Sequence, residues 1–181
     1  MYDRPLTIER MLTMLSEMPA RIVALTSGLA PDKLRAAPNL GEWSADDVLA
    51  HLRSCADVWG NYIATIVTED RPTIRAVNPT TWIKKTNYRQ QEFQPSLQAF
   101  TAQRTELLSV LNPLLPEAWS RMATVTGAGK PRERTVYTYA LWLANHERSH
   151  IKQIERMVNT VRVEQQRTLE QAAQRMGTAG P

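Results

Sequence analysis

Two histidines stand four residues apart in the segment Leu143-Ala144-Asn145-His146-Glu147-Arg148-Ser149-His150-Ile151. The apolar residues around them recur at the spacing of an α-helix, so both imidazoles are expected on one helix face, about one turn apart. Imidazole nitrogens are common metal ligands, and two of them are thereby directed at one point. The segment predicts a helix with a two-histidine face.

The third histidine of the chain, His51, lies in a second helical segment, Ser44-Ala45-Asp46-Asp47-Val48-Leu49-Ala50-His51-Leu52. If the two helices pack side by side, three neutral imidazoles meet around a single divalent cation. Three protein nitrogens and an open position make a reactive zinc-type site, because the open position admits water or substrate. A histidine pair at this spacing also arises by chance, and a single histidine on an apolar face is more often a core residue. From the residues alone, both interpretations remain open.

Composition predicts one globular domain with no membrane partner. The chain has 181 residues, of which 43% are hydrophobic and 22% are charged. Its single cysteine excludes an internal disulfide framework, and residues 1–5 lack the pattern of an export signal, so a cytoplasmic location is expected. No apolar run approaches the roughly 18 residues of a membrane-spanning helix.

The net charge of +4 raises the question of a nucleic-acid partner. Basic residues are mostly interspersed with acids, and no helix-turn-helix, zinc-finger or RNA-binding signature accompanies them. Two basic clusters fall in predicted loops, where solvated loop charge is the more frequent explanation. The clusters are Lys84, Lys85 and Arg89, and Lys130, Arg132 and Arg134. A nucleic-acid partner is therefore not expected.

Helical spacing of apolar residues predicts four long helices, and no segment has the pattern of a β-strand. The helices cover about residues 6–26, 44–68, 95–111 and 135–160. Pro19 is expected to kink or divide the first helix, because proline removes a backbone donor. Ser44 and Asp47 resemble a capping box at the start of the second helix.

The remaining segments are predicted to connect or extend these helices. Residues 71–94 form a long crossover, which its aromatic residues are expected to pin to the body of the protein, and residues 113–133 form a second long connection. We assign residues 1–160 to one four-helix bundle. Residues 161–181 form a polar helical extension or a frayed C-terminal tail.

The connection lengths predict how the helices run. The second helix spans about 25 residues, or roughly 37 Å, and the crossover of about 24 residues is long enough to return over that distance. Helix three then runs parallel to helix two, and helix four runs opposite to both. His51 lies about 10 Å from the start of helix two and His150 about 15 Å from the expected end of helix four, so their levels nearly match.

Two motifs resemble the DinB-like superfamily of damage-inducible, metal-dependent bundle proteins. The first is Gly41-Glu42-Trp43-Ser44 followed by Val48-Leu49-Ala50-His51-Leu52, which resembles the family's tryptophan-serine start and its helix-two histidine. The second is His146-Glu147-Arg148-Ser149-His150-Ile151-Lys152-Gln153-Ile154, which is similar to the family's closing helix. The resemblance implies an all-α, up-down-down-up four-helix bundle, often a homodimer. It also implies a divalent metal, commonly zinc or nickel, held by His51, His146 and His150.

The resemblance further implies an enzyme with a small-molecule substrate. Some members transfer low-molecular-weight thiols to electrophiles, and metal-assisted hydrolysis is the other reaction that the predicted site serves. Four aromatic residues are candidate pocket walls, although an aromatic series at helical spacing also packs a core. They are Trp59, Tyr62, Tyr139 and Trp142. Cys55 is a candidate fourth ligand that would close the site, and Glu147 is a candidate for orienting a ligand imidazole.

Two other functions remain open. The pattern from His146 through Glu147 to His150 is also that of zinc proteases, in which the glutamate is the general base, but no strand is predicted to align a peptide. A non-catalytic stress-response protein that stores a metal or binds a small ligand is the alternative to an enzyme. No catalytic residue is assigned.

Overall fold

Four long helices packed side by side form the body of the protein in the computed structural model, which describes residues 5–177. These helices are α1 (Ile8–Thr26), α3 (Ala45–Thr68), α5 (Phe93–Leu111) and α6 (Val136–Gly177). The connections contain two short α-helices, α2 (Pro31–Arg35) and α4 (Pro79–Trp82), and three strands, β1 (Thr73–Arg75), β2 (Met122–Thr126) and β3 (Arg132–Thr135). They also contain three 3₁₀ helices, Ile83–Lys85, Tyr88–Gln90 and Pro116–Ser120. The predicted all-α, four-helix fold is confirmed.

The helices α1 and α6 run in the same direction. Near their starts, the Tyr137 hydroxyl donates to the carbonyl of Leu6 at 2.8 Å. Near the end of α1, the Arg162 guanidinium donates to the carbonyl of Leu25 at 3.0 Å. Contacts therefore advance together along both helices.

The helix α3 runs opposite to α6. The ring of Trp59 contacts that of Trp142, with centroids 6.2 Å apart. Later in α3, the ring of Tyr62 contacts that of Tyr139, which comes earlier in α6, with centroids 5.2 Å apart. As α3 advances, its partners on α6 therefore lie further back along the chain.

The helix α5 runs parallel to α3, as the length of the crossover predicts. Arg53 donates to the Ser96 hydroxyl at 3.2 Å, and Asp57 accepts a hydrogen bond from Gln103. Both partners advance along the chain together. With α1 and α6 in one direction and α3 and α5 in the other, the bundle has the predicted up-down-down-up order.

Pro19 does not divide α1, which continues through it. Its neighbours Leu15, Met18 and Ile22 are 0%, 1% and 0% exposed and belong to the hydrophobic core. Burying each such side chain stabilises the fold by about 1.5–3 kcal/mol. Together they exceed the roughly 3 kcal/mol that an interior proline costs a helix.

The predicted capping box at the start of α3 is present. The Asp47 backbone N–H donates to the Ser44 hydroxyl at 3.1 Å, and the Ser44 backbone N–H donates to the Asp47 carboxylate at 3.1 Å. These bonds satisfy backbone donors that the first turn of a helix leaves without partners. They fix where α3 begins, and therefore which of its residues, His51 among them, face the core.

The prediction that the chain contains no β-strand is wrong. The strands form one sheet in the order β1-β2-β3, with β1 parallel to β2 and β2 antiparallel to β3. Ile74 pairs with Val125, about fifty residues further along the chain. Strands of three to five residues show too little alternation to be recognised, and a pairing between distant segments leaves no local pattern.

The crossover between α3 and α5 is pinned to α3 through one carboxylate, and its predicted anchoring by aromatic residues is confirmed. Asp57 accepts hydrogen bonds from the Trp82 indole at 3.1 Å and from the Tyr88 hydroxyl at 2.7 Å. Gln103 of α5 donates to its other oxygen. One half-buried side chain of α3 thereby holds the crossover and the next helix of the bundle.

The last helix continues well past the end of α1. Residues 161–177 remain helical, and residues 162–175 are exposed, with Val163 49% and Leu169 71% exposed. The predicted polar extension therefore takes its helical form as far as Gly177, and residues 178–181 lie outside the described part of the chain. Within residues 5–177, no helix is both long and apolar enough to cross a membrane.

We expect Asp57→Asn to destabilise the protein. The amide has one acceptor oxygen where the carboxylate has two, and it turns an NH₂ group toward existing donors, so the free energy of unfolding should fall by about 2 kcal/mol. Urea denaturation measures this change. The matched control is Asp70→Asn, an exposed position just after α3, which should change it by less than about 0.5 kcal/mol. Equal effects of both substitutions would contradict the anchoring role.

Candidate metal centre

The three histidines of the chain meet between α3 and α6. The Nε2 atom of His51 lies 3.1 Å from Nε2 of His146, which in turn lies 3.2 Å from Nε2 of His150. The centroids of the three rings are 4.5–5.0 Å apart. Because α3 and α6 run in opposite directions, His51 near the start of α3 reaches the pair in the middle of α6.

The separations of these nitrogens match those of ligands around one ion. Imidazole nitrogens lie about 2.0–2.1 Å from zinc, which sets two such ligands about 2.9 Å apart at a right angle and about 3.4 Å apart at the tetrahedral angle. The Nε2 separations of 3.1 and 3.2 Å fall between these limits. Both separations are therefore compatible with a shared ion, and the ligand set of His51, His146 and His150 stays a prediction.

Gln153 fixes the orientation and tautomer of His150. Its Oε1 atom lies 2.9 Å from Nδ1 of His150, and an amide oxygen only accepts hydrogen bonds, so Nδ1 carries the proton. The lone pair of the neutral ring is then on Nε2, the atom that faces His146. Sequence reasoning did not identify Gln153. Its position three residues after His150 was the available signal, because such residues share a helix face.

Burial keeps the three imidazoles neutral. It lowers the pKa of His51 to about 4 and that of His146 to about 3, and in both cases the neighbouring His150 lowers it further. Burial also lowers the pKa of His150, and the hydrogen bond to Gln153 opposes this change. Neutral imidazole is the form that binds metals, so at neutral pH the ring nitrogens need not release protons to do so.

Two tryptophans enclose the imidazoles. The Trp43 ring is stacked with that of His150 at 6.1 Å and lies 5.0 Å from that of His51, between ring centroids. Trp59 meets His146 edge to face at 5.2 Å. Sequence reasoning identified Trp59 as a pocket candidate but did not assign Trp43 to the site, although its place directly before the N-cap Ser44 was a signal.

Cys55 lies beside the histidines, one helical turn after His51. Its Sγ atom is 3.6 Å from Nε2 of His51 and 3.9 Å from Nε2 of His146. The ligand atoms of these three residues all lie within 4.8 Å of one another. Burial raises the pKa of the Cys55 thiol, and the nearby Glu147 raises it further. Without a cation, the thiol is therefore neutral.

Glu147 faces α5 and pairs with a residue of that helix. It is 0% exposed and forms an ion pair with Arg104. Burial raises the pKa of its carboxyl, and Arg104 opposes that rise. A zinc-protease general base must reach a water molecule beside the metal. The carboxylate of Glu147 is instead paired with Arg104, and its roles as a protease base or as a partner of a ligand imidazole stay predictions.

The four aromatic residues predicted as pocket walls form one contiguous series. The Tyr139 ring contacts those of Tyr62 and Trp142, with centroids 5.2 and 5.4 Å apart. The Trp142 ring in turn contacts that of Trp59. All four line a cavity of about 280 Å³. Burial raises the pKa of the Tyr139 phenol to about 12, and Tyr62 adds to this rise. The phenol is therefore uncharged at neutral pH.

Comparison with known proteins identifies a family and a structural neighbour. A model of the DinB superfamily matches residues 14–154, which include all three histidines. No curated protein matches the sequence. YfiT from Bacillus subtilis, a solved structure described as a probable metal-dependent hydrolase with an unusual four-helix bundle topology, is 16% identical. The similarity covers 87% of this chain and 91% of that one with a TM-score of 0.74, so it shows a shared fold.

We expect acid to destabilise the metal-free protein through His51 and His146. Their pKa values are about 4 and 3 in the folded protein, and about 6.5 in an unfolded chain. The folded state therefore binds fewer protons, so its stability is fully present above pH 6.5 and decreases as the pH falls toward 4. Urea denaturation in the presence of a chelator, at several pH values, measures this decrease.

The matched control is the double variant His51→Gln/His146→Gln under the same conditions. It retains Glu147 and the other carboxyl groups, so the difference between the two pH profiles isolates the imidazoles. The variant should lose less stability between pH 6.5 and 5 than the wild type does. Identical slopes in this range would show that the imidazoles are not held neutral by burial.

Proposed function

This chain belongs to the DinB superfamily, and we propose that it is a divalent-metal-dependent enzyme whose ion is bound by His51, His146 and His150. The observation that carries this proposal is that Nε2 of His146 lies 3.1 Å from Nε2 of His51 and 3.2 Å from Nε2 of His150. Neutral rings at these separations are a suitable donor set for zinc or nickel, because imidazole nitrogen binds both ions well. The description of YfiT as a probable metal-dependent hydrolase supports the proposal.

The reaction class follows from the charge of such a site. A divalent ion bound only by neutral ligands supplies Lewis-acid chemistry and stabilises negative charge on a water oxygen or a thiol sulfur. Gln153 orients His150 by accepting a hydrogen bond from its Nδ1–H group. Trp43 and Trp59 restrict the access of bulk water from two sides of the imidazoles. We propose that the chemistry is hydrolysis of a small substrate or transfer of a low-molecular-weight thiol to a small electrophile.

The setting of this activity is part of the same proposal. The family resemblance supports a homodimer, and we propose that the protein works in the cytoplasm, where its single cysteine stays reduced. We also propose the domain organisation of residues 1–160 as the metal-binding bundle and residues 161–181 as its polar extension. The family match over residues 14–154 and the exposure of the last turns of α6 support this division.

Metal titration and turnover test the proposed function together. Protein freed of metal with a chelator should bind close to one Zn²⁺ or Ni²⁺ per chain in calorimetry, and each of His51→Ala, His146→Ala and His150→Ala should lower the affinity at least about tenfold. Turnover of an ester panel, and of electrophiles with bacterial thiols, should require the metal and be lost in His51→Ala. Ser149→Ala, an exposed position on the same helix, is the control and should keep both properties. Metal binding that is unaffected by all three histidine substitutions would refute the site.

A non-catalytic metal-binding protein is the second candidate, and Cys55 is the observation that favours it. Zinc–sulfur bonds of about 2.3 Å and zinc–nitrogen bonds of about 2.0–2.1 Å set the two ligand atoms about 3.6 Å apart at the tetrahedral angle. The Sγ atom of Cys55 lies at this distance, 3.6 Å, from Nε2 of His51. If the thiol binds as the fourth ligand, no open position remains for a substrate, and the site is structural.

Cobalt substitution of the metal separates the two candidates. The enzyme proposal predicts that Co²⁺-loaded protein lacks the near-ultraviolet sulfur-to-cobalt charge-transfer band, because the fourth position is not occupied by sulfur. It also predicts that Cys55→Ala keeps metal stoichiometry and turnover. A charge-transfer band that disappears in Cys55→Ala, together with weaker metal binding, would instead support the closed, non-catalytic site. Cys55→Ser controls for the loss of side-chain volume.

A further inference from the structure

A cavity of about 280 Å³ lies beside the histidines, between α3, α6 and the β-sheet. We call it the aromatic cavity, because Trp59, Tyr62, Tyr139 and Trp142 line it. Its volume is close to the lower end of the range for small-molecule sites, roughly 300–1,000 Å³. The space therefore suits a ligand with one ring and a short chain.

Among the described residues, three basic side chains and no acidic one line the same cavity. The basic residues are Lys130, Arg132 and Arg134. Arg132 and Arg134 are two positions apart on β3, so their side chains lie on the same face of the sheet. The Arg134 guanidinium lies 5.1 Å from the centroid of the Trp142 ring, a cation–π contact that holds it at the aromatic wall.

The positive charge at this cavity is not neutralised by carboxylates. None of the three basic residues takes part in an ion pair within residues 5–177. The carboxylate closest in sequence belongs to Glu133, which pairs with Arg71 at 3.0 Å. The Arg134 guanidinium donates one hydrogen bond, from Nη1 to the carbonyl of Glu133 at 3.0 Å. A carbonyl leaves its positive charge in place, so Arg132 and Arg134 can still attract an anionic ligand.

We propose that the aromatic cavity binds the anionic end of the substrate, a carboxylate or a similar anion attached to a ring-sized apolar body. The aromatic wall provides apolar contact for the body, and the planar guanidinium groups are suited to two-point hydrogen bonding of a carboxylate. The identity of this ligand as the substrate rests on the proposed function. Its binding in the cavity does not, because that binding requires no metal.

Trp59 connects this cavity to the histidines. Its ring lines the cavity and also meets the ring of His146, with the centroids 5.2 Å apart. A ligand seated against Trp59 therefore lies about one ring away from the imidazoles. If the anionic group of the ligand binds at the β-sheet end of the cavity, the other end of the ligand points toward the proposed metal site.

Binding of a matched pair of probes to the metal-free protein tests the inference. The probes are 3-phenylpropionate and its neutral amide, 3-phenylpropionamide, which differ in charge and little in shape. Removing the metal prevents the carboxylate from binding to it directly. Calorimetry should show that the acid binds at least about tenfold more tightly than the amide, as charge-assisted hydrogen bonds predict.

The five tryptophans of the chain report where the probe binds. In ¹⁵N-correlated spectra, the indole N–H signals of Trp59 and Trp142 should shift with added acid. Those of Trp82, which is bonded to Asp57, and of Trp119, which is buried in the core, should not. Shifts confined to Trp43, on the other side of the histidines, would overturn the inference.

Substitution of the basic residues provides the second arm. Arg132→Gln and Arg134→Gln should each weaken binding of the acid about tenfold and leave binding of the amide unchanged. The unchanged amide shows that the cavity remains folded. Arg148→Gln, an exposed position on α6, is the control and should alter neither. Equal affinity for acid and amide in the wild type, or insensitivity to both cavity substitutions, would overturn the inference.

A Zn²⁺ titration of the same samples separates this inference from the proposed function. Acid binding in a protein that fails to bind zinc would refute the metal-dependent reaction and leave the anion site established. Zinc binding in a protein that does not distinguish acid from amide would refute the anion site and leave the metal centre. Arg132→Gln and Arg134→Gln should bind zinc as the wild type does.

Discussion

The antiparallel register of α3 and α6 is the constraint on which the site depends. His51 and His150 are about one hundred residues apart in the sequence. They lie close together because the antiparallel helices α3 and α6 pack with these two positions side by side. A helical residue turns about 100° from its neighbour, so a slip of one residue would turn an imidazole out of the cluster. The ring contacts from Trp59 to Trp142 and from Tyr62 to Tyr139 continue the same register toward the β-sheet.

The buried pair of Arg104 and Glu147 fixes the rotation of α6. His146 and Glu147 are consecutive, so directing one toward α3 necessarily turns the other away from it. The ion pair binds Glu147 to α5. A buried ion pair is weak evidence for added stability, since desolvation offsets much of its attraction, but removing one partner is costly. The glutamate of a protease-like sequence pattern thus serves here to orient the helix that carries two of the histidines.

The sequence was sufficient for the four helices, their directions and the meeting of the histidines, because these follow from local periodicity, a capping box and connection lengths. It was insufficient for the β-sheet, which depends on pairing between segments far apart. That omission affected the prediction for Lys130, Arg132 and Arg134, which were assigned to solvated loop charge. Once Arg132 and Arg134 are placed on a strand, they lie on one face beside the aromatic residues and line the cavity. Their charge acquires a defined position only through the tertiary fold.

The proposed anion site and the proposed metal site share one side chain, Trp59, which lines the cavity on one side and meets His146 on the other. Catalysis gains most when remote parts of a substrate are held so that the reacting group is placed near the catalytic one. A ring seated against Trp59 and Trp142, with its anion at Arg134, has only one end free to extend toward the imidazoles. In this arrangement β3 provides the positive charge, and α3 and α6 provide the histidines. Packing of the sheet beside α3 and α6 brings the two groups to the same substrate.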